Sequence, residues 1–366
     1  MKKVISAGHI CLDITPVFPA GKRVDRLSSL LIPGKLIQME AADVHTGGSV
    51  ANTGLALKLL GCDVTLLGKV GDDDFGLMIR NILARYGAGG LLVDPEGSTS
   101  YSVVLAVPGV DRIFLHSPGA NDTFTGADIP EDVLEDAALF HFGYPPLMKK
   151  TWENNGAELV SLFRRTKGKG IATSLDLAAV DPHSPAGCAD WETILANVLP
   201  WVDFFVPSFE ELCWMLDRER YNRLASAGGD MTDRLDMEAE ALPLAEKLLS
   251  MGCRIVVIKC GTSGMLLRTA GKETVASVGS RLELDADRWR DLLVFQRCFR
   301  ADIVRSGTGA GDTSIAAFLA AVLSGREPSS CIALASAEGA CCVTAYDALS
   351  GLKPLDELEE RIRNGW

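Results

Sequence analysis

None of the ten cysteines belongs to a Cys-x-x-Cys pair or stands at a Cys/His ligand spacing. That removes a zinc module from consideration and points to reduced thiols in a cytoplasmic core rather than a disulfide framework. No uninterrupted apolar run reaches the ~18 residues of a membrane span; the best, Ile315 to Leu323, has the length of a buried helix. The apolar run at the amino terminus is broken at Gly8 and Asp13, too early for the core of an export signal. Positive charge is scarce: 36 Lys and Arg against 48 Asp and Glu give a net charge of −12, which argues against a nucleic-acid partner. Any anionic ligand must then be held locally, by helix N-termini and a few basic side chains. No internal repeat, low-complexity tract or linker divides the chain. What is present is ordinary for a folded protein, with 47% apolar and 23% charged residues, so disorder and fibre classes are excluded. The 366 residues exceed the roughly 250–300 at which one core stops growing, so one large domain with a subdomain, or two domains, is expected.

The most informative stretch is Arg305-Ser-Gly-Thr-Gly-Ala-Gly-Asp312, followed at once by the apolar run Thr313 to Leu323. Glycines at 307, 309 and 311 free the backbone for a tight turn and close ligand approach, and a helix starts immediately afterwards, an arrangement suited to holding an anion. A carboxylate repels phosphate, so Asp312 needs another task there. Taking a proton from an attacking hydroxyl is one; capping the helix is the simpler alternative.

Earlier, Thr46-Gly-Gly-Ser-Val-Ala-Asn-Thr-Gly54 reads as a Gly-Gly turn with Ser49 as N-cap of a helix that Gly61 ends, placing Asn52 in its first turn. Strands are expected over 3–7 and 64–70, and a helix from Gly71-Asp-Asp-Asp-Phe-Gly76 to Tyr86. Tyr101 to Val107 and Arg112 to Ser117 form a hairpin across Pro108 to Asp111, part of a small separate sheet. From Ala138 strand and helix alternate: strands over 138–142, 171–175, 204–206, 254–259 and 265–268, and helices over 153–165, 209–216 and 237–251. Such alternation implies a parallel sheet with helices on both faces, and ligands at the carboxyl ends of its strands. Asp176, the 208–211 segment, Lys259 and the 307–312 loop all fall at such ends. Arg218 to Asp236 and Ser280 to Arg300 break the pattern and read as insertions. A dinucleotide-binding dehydrogenase is disfavoured, because Gly8 is isolated where Gly-x-Gly-x-x-Gly is needed.

In this order the pieces resemble the ribokinase-like, PfkB-type carbohydrate kinase family over nearly the whole chain. Its early signature matches Gly47-Gly48-Ser-Val-Ala-Asn52 and Gly68-Lys-Val-Gly-Asp-Asp-Asp-Phe-Gly76, and its late one the 306–312 stretch. Pro118-Gly-Ala-Asn121, Asp176 and Lys259-Cys-Gly-Thr-Ser-Gly264 fall between. The resemblance implies a three-layer α/β/α fold in a single domain, with a mainly parallel central sheet and a lid of strands near 10–15, 36–46 and 101–117. It implies transfer of the γ-phosphoryl group of ATP to a hydroxymethyl group of a sugar or sugar-like acceptor. Asp312 would be the base, and the amides of Gly309, Ala310 and Gly311 the anion hole. Asp13, Gly47, Gly48 and Asn52 would hold the acceptor, Lys259, Gly261, Gly264 and Thr308 the nucleotide, and Glu211 magnesium through water. Two departures stand out. Ser208 replaces the Asn of an Asn-x-x-Glu pattern, and Ser306-Gly307 replaces an Asp-Thr pair near a monovalent-cation site, so potassium activation is not expected; Arg305 is a candidate replacement charge. A catalytically quiet sugar or nucleotide sensor and a nucleoside kinase are the alternatives, and a homodimer through the lid is expected.

Overall fold

The computed structural model describes residues 2–19, 27–108 and 112–366. Its strands are β1 (Lys3–Gly8), β2 (Cys11–Thr15), β3 (Asp43–Gly47), β4 (Asp63–Leu67), β5 (Lys69–Gly71), β6 (Leu92–Asp94), β7 (Tyr101–Leu105) and β8 (Ile113–Ser117). They continue with β9 (Ala137–Gly143), β10 (Ala172–Leu175), β11 (Phe204–Phe205), β12 (Ile255–Lys259), β13 (Met265–Thr269) and β14 (Leu293–Gln296). Eight of them form one sheet in the order β14-β13-β12-β11-β10-β9-β1-β4, parallel except for β13, which runs antiparallel to both neighbours.

This sheet is covered on both faces, which is why its strands read as continuous apolar runs rather than alternating ones. Along β12, Val256 and Ile258 join the core that includes Phe140, Phe163 and Trp191, while Ile255 and Val257 join the one that includes Phe318, Leu319 and Ile332. A period of two therefore divides each strand between two helical layers. The second layer is built on the alanine-rich helix Ala310–Leu323, buried almost all round against Ser49–Leu59 and Pro328–Cys342. All ten cysteines are free thiols, and no helix among the described residues is long and apolar enough to cross a membrane.

A four-stranded sheet, β3-β2-β7-β8, stands apart from the main one. Of the expected lid stretch 36–46, only the end pairs, as β3. The expected loop 16–33 and the hairpin turn after Pro108 lie partly outside the described residues. Other boundaries moved for local reasons. The run Val64 to Val70 is broken at Gly68, whose Cα passes so close to Ile10 that a Cβ would lie 2.9 Å from Cγ2; β4 stays in the main sheet and β5 pairs with β6. The helix expected from Glu153 begins at Lys149, with a non-helical break at Glu153–Gly156, where Asn154, Asn155 and Gly156 take positive φ. Ser280 to Arg300 is not an insertion throughout, because Leu293–Gln296 is the edge strand β14. The charges just before it hide a strand that buries one face only. The 218–236 segment opens as a helix, Arg218–Ala225, N-capped by Asp217.

Inside the helix Pro328–Cys342, Glu338 is fully buried. Its Oε1 accepts from the Lys353 N–H at 2.9 Å, and Oε2 has no partner among the described residues. Burial pushes the carboxyl up to about 7 from 4.5. The folded state therefore binds the proton more tightly, and stability falls as pH rises from about 4.5 to about 7. Glu338→Gln should be more stable than the parent at pH 8, by up to about 3 kcal/mol, and gain nothing at pH 4.5. Thermal unfolding at the two pH values checks this, and equal gains at both would refute it.

Candidate active site

The loop before the helix Ala310–Leu323 turns left-handed at Gly309, φ 75°, and a Cβ there would lie 2.2 Å from that of Ala348. Only glycine fits. Gly309, Gly311 and Asp312 of this turn line a cavity of about 1390 Å³, and Ala310 does not. Ala310 N–H makes a long 3.4 Å contact to Gly307 O, so the amides of this first turn, which have no partner within a helix, are disposed to hold an anion.

Asp312, in that turn, is 4% exposed and lines the same cavity. Its Oδ1 accepts from Thr53 Oγ1 at 3.1 Å, and its Oδ2 from Asn52 Nδ2 at 3.1 Å and from the Tyr144 hydroxyl at 2.7 Å. Asn52 and Thr53 come from the helix Ser49–Leu59 and Tyr144 from the residue after β9, held left-handed at φ 66°. Two segments thus converge on one carboxylate through three donors, and Asn52 reaches the expected base rather than waiting alone for a ligand. Burial, reinforced by the Asp312 charge, raises the Tyr144 hydroxyl well above its ordinary range, so it stays protonated and donates.

The helix meant to be capped by Ser49 is capped by Gly48 instead, at φ 85°. A Cβ at Gly48 would lie 2.6 Å from His9 Nδ1, so glycine is needed there to seat the imidazole. Ser49 Oγ turns inward to His141 Nε2 at 3.3 Å. Gly47 lies behind Asp13, whose carboxylate oxygen would meet a Cβ at 2.2 Å. Asp13 is raised by burial, with Cys11 Sγ 3.3 Å from Oδ1.

Across the cavity, Lys259 Nζ donates to Asp176 Oδ1 at 2.7 Å. Asp176 follows β10 and Lys259 ends β12, so the bond bridges the carboxyl edge over the intervening β11. Burial raises Asp176 and Lys259 pulls it back; burial alone would lower Lys259, but the charges of Asp176 and Glu211 raise it. The two titrate as a pair. The Lys259 ammonium also reaches the loop before the helix Ala310–Leu323, 3.7 Å from where a Gly311 Cβ would stand. Ser208 and Glu211 form a reciprocal cap: Ser208 N–H donates to Glu211 Oε2 at 2.7 Å, and Glu211 N–H to Ser208 Oγ at 3.3 Å. Serine at 208 thus keeps its helix start intact.

Arg305 does not line the cavity; it lies 5.6 Å over the Tyr346 ring. A second cation at this loop is Arg112, the residue before β8 of the small sheet, bonded through Nη1 to Thr308 Oγ1, and Ser306 Oγ accepts from Thr308 N–H at 3.1 Å. Gly261 lines the cavity beside Thr232 and Asp230, which the 218–236 segment delivers. Gly264 does not line it: with φ 114° it packs where a Cβ would sit 2.0 Å from the Gln296 carbonyl. Asp312, Gly309, Gly311, Asp13, Gly48, Asn52, Lys259, Gly261, Thr308 and Glu211 therefore share one cavity. The reading of single motifs missed Tyr144, Arg112, His9 and His116, which have polar groups in otherwise plain strand ends.

The family model for pfkB family carbohydrate kinases matches residues 1–354. The chain belongs to that family. An uncharacterized sugar kinase of Archaeoglobus fulgidus is 25% identical over 302 residues, covering 81% of this chain and 98% of the relative. A 2-dehydro-3-deoxygalactonokinase of Haloferax volcanii is 23% identical, covering 99% and 97%. Rice (Oryza sativa subsp. japonica) fructokinase-2 is 30% identical over 173 residues, covering 46% of this chain and half (50%) of its own length. Among solved structures, an Arabidopsis thaliana ribokinase complexed with ribose and ATP superposes with a TM-score of 0.71 at 18% identity, covering 98% of each chain. A putative ribokinase II from E. coli in complex with ATP and magnesium gives 0.69 at 20%, covering all of both chains (100% and 100%). The ribokinase fold and carbohydrate kinase class expected from the sequence thus hold for this pfkB-family chain.

Proposed function

We propose that this kinase transfers the γ-phosphoryl group of ATP to a hydroxymethyl group of a sugar or sugar-like acceptor, with Asp312 as general base. The observation that carries the reading is the carboxylate of Asp312, buried beside the Gly309–Gly311 amides and held by Asn52, Thr53 and Tyr144. The acceptor hydroxyl would take the place of the Tyr144 hydroxyl on Oδ2 and lose its proton to Asp312 as its oxygen attacks phosphorus. The loop amides, with Lys259 and Arg112, would meet the charge on the transferred group, as phosphoryl transfer depends mainly on position and electrostatics. Gly261 and Thr308 would border the nucleotide. The lid of β2, β3, β7 and β8 would exclude water, which competes as acceptor.

Magnesium fits the donor set. Nine carboxylates and three cations line the cavity, so ATP needs a cation to enter it. Glu211 would hold that ion through water; when bound, it neutralises phosphate charge. Among the described residues no group of three or more His, Cys, Asp or Glu is arranged to bind a metal directly.

A coupled ADP-release assay over neutral sugars, sugar acids and nucleosides, with and without potassium, tests the reading. Acceptor-dependent ADP release supports it; stabilisation by ATP and magnesium with no release for any acceptor would favour a sensor. The half-exposed lid residues Phe114 and Leu115, 53% and 54% exposed, lie on β8, an edge strand of the small sheet, which supports a homodimer through the lid. Gel filtration at micromolar concentration should then give twice the chain mass, and a monomer would remove the dimer.

A further inference from the structure

His9 follows β1 at the floor of the cavity and is 1% exposed, yet neither ring nitrogen has a hydrogen-bond partner among the described residues. His116, on the lid strand β8, accompanies it. Its Nδ1 is 3.0 Å from Ser102 Oγ, while its buried Nε2 is likewise without a partner. The two rings lie 5.1 Å apart, and the Tyr144 ring lies 5.9 Å from that of His9 on the other side. All three line the cavity. Since the Tyr144 hydroxyl touches Asp312, one tyrosine ring separates the imidazole pair from the base.

A neutral imidazole presents one donor and one acceptor. Leaving such groups buried and unpaired is unfavourable, so these nitrogens are set for a ligand that both donates and accepts. Hydroxyl groups do so; a carboxylate only accepts. The neutral state is the one burial favours, because both histidines are lowered by desolvation, and His9 also by the nearness of His116. The charged side chains around the pair point the same way. Asp13 and Asp312 are acidic side chains lining the same cavity. Of the cavity's cations, Lys259 is turned to Asp176, Lys149 to Glu153 at 3.6 Å, and Arg112 to Thr308.

We propose that His9 and His116 form the far wall of the acceptor pocket and select an uncharged, polyhydroxylated sugar over a sugar acid. The proposal rests on the kinase reading for its location: an acceptor would lie along Tyr144, its reacting hydroxyl at Asp312 and its remote hydroxyls on the two imidazoles.

The test compares a neutral ketohexose, a neutral aldopentose and a keto-deoxy sugar acid as acceptors for the parent, His116→Phe and His116→Arg. His116→Phe keeps a ring and removes its nitrogens; His116→Ala serves if that variant aggregates. The parent should favour the best neutral sugar over the acid by about 100-fold or more in kcat/KM, in the range reached when buried polar groups are matched or left unpaired. His116→Phe should raise the KM for that sugar about tenfold, one lost hydrogen bond, while the KM for ATP moves far less. His116→Arg should narrow the neutral-to-acid ratio at least about tenfold. A preference for the acid in the parent, or an acceptor KM unchanged in His116→Phe, overturns the wall and leaves the kinase reading standing. If no compound gives ADP, the kinase reading fails, and the same panel read by thermal shift still decides the wall. A neutral sugar that stabilises the parent but not His116→Phe supports it; no stabilisation by either neutral sugar overturns it.

Discussion

Asp312→Asn should lower kcat by about 10²–10⁴, the usual contribution of a positioned base, while leaving the fold and ATP binding in place. The environment of the carboxylate explains why the loss should be confined to chemistry. The asparagine oxygen can keep the position of Oδ2, where Asn52 and Tyr144 donate, and its NH₂ can face Thr53 Oγ1, a hydroxyl able to accept as well as donate. The variant therefore retains its contacts and loses the capacity to take a proton. Near-parental turnover with the true acceptor would show that Asp312 is not the base, and loss of the ATP-induced thermal shift would show that the substitution damaged the loop.

Lys259→Met should destabilise the protein by about 3–5 kcal/mol, the cost of stripping a buried charge of its partner. Asp176 is 1% exposed, and the neighbouring charges it feels besides Lys259 are those of Glu211 and Asp312, both of the same sign. Without the ammonium it must be protonated or carry unpaired charge in the interior. The double variant Lys259→Met with Asp176→Asn should recover a substantial part of the loss, since no charge is then stranded. Denaturant unfolding at neutral pH reads both. If Lys259→Met is as stable as the parent, the 2.7 Å bond does not hold the strand ends together. Because the same ammonium stands beside Gly311, turnover should fall in both variants, and its failure to recover in the double one separates the role toward phosphate from the role in stability.

Much of this arrangement is legible before any coordinates. The apolar runs of β9 and β12 announce a sheet buried on both faces, and Gly309-Ala-Gly-Asp312 announces a tight turn into a helix, because tight turns and helix starts are written in local residue types. What was hidden depends on contacts between distant segments. Tyr144 reads as a residue ahead of two prolines, and nothing local ties it to a carboxylate 168 positions away. Arg305 is nearer in sequence to the loop than Arg112, yet Arg112 is the one that the small sheet brings to Thr308. The first-turn position of Asn52 is written in the local sequence, but the helix's packing against Ala310–Leu323 is what brings it onto Asp312. Edge strand β14 was masked because an edge buries one face and tolerates charge around it.

The most direct test of the central claim is the mass of the acceptor after incubation with ATP, magnesium and the protein. The account predicts that a sugar or sugar-like acceptor gains one phosphoryl group with the parent protein, in step with ADP formed, and gains almost none with Asp312→Asn. Phosphorylation by Asp312→Asn at the parental rate, or ATP binding with no acceptor gaining mass across sugars, sugar acids and nucleosides, would contradict it.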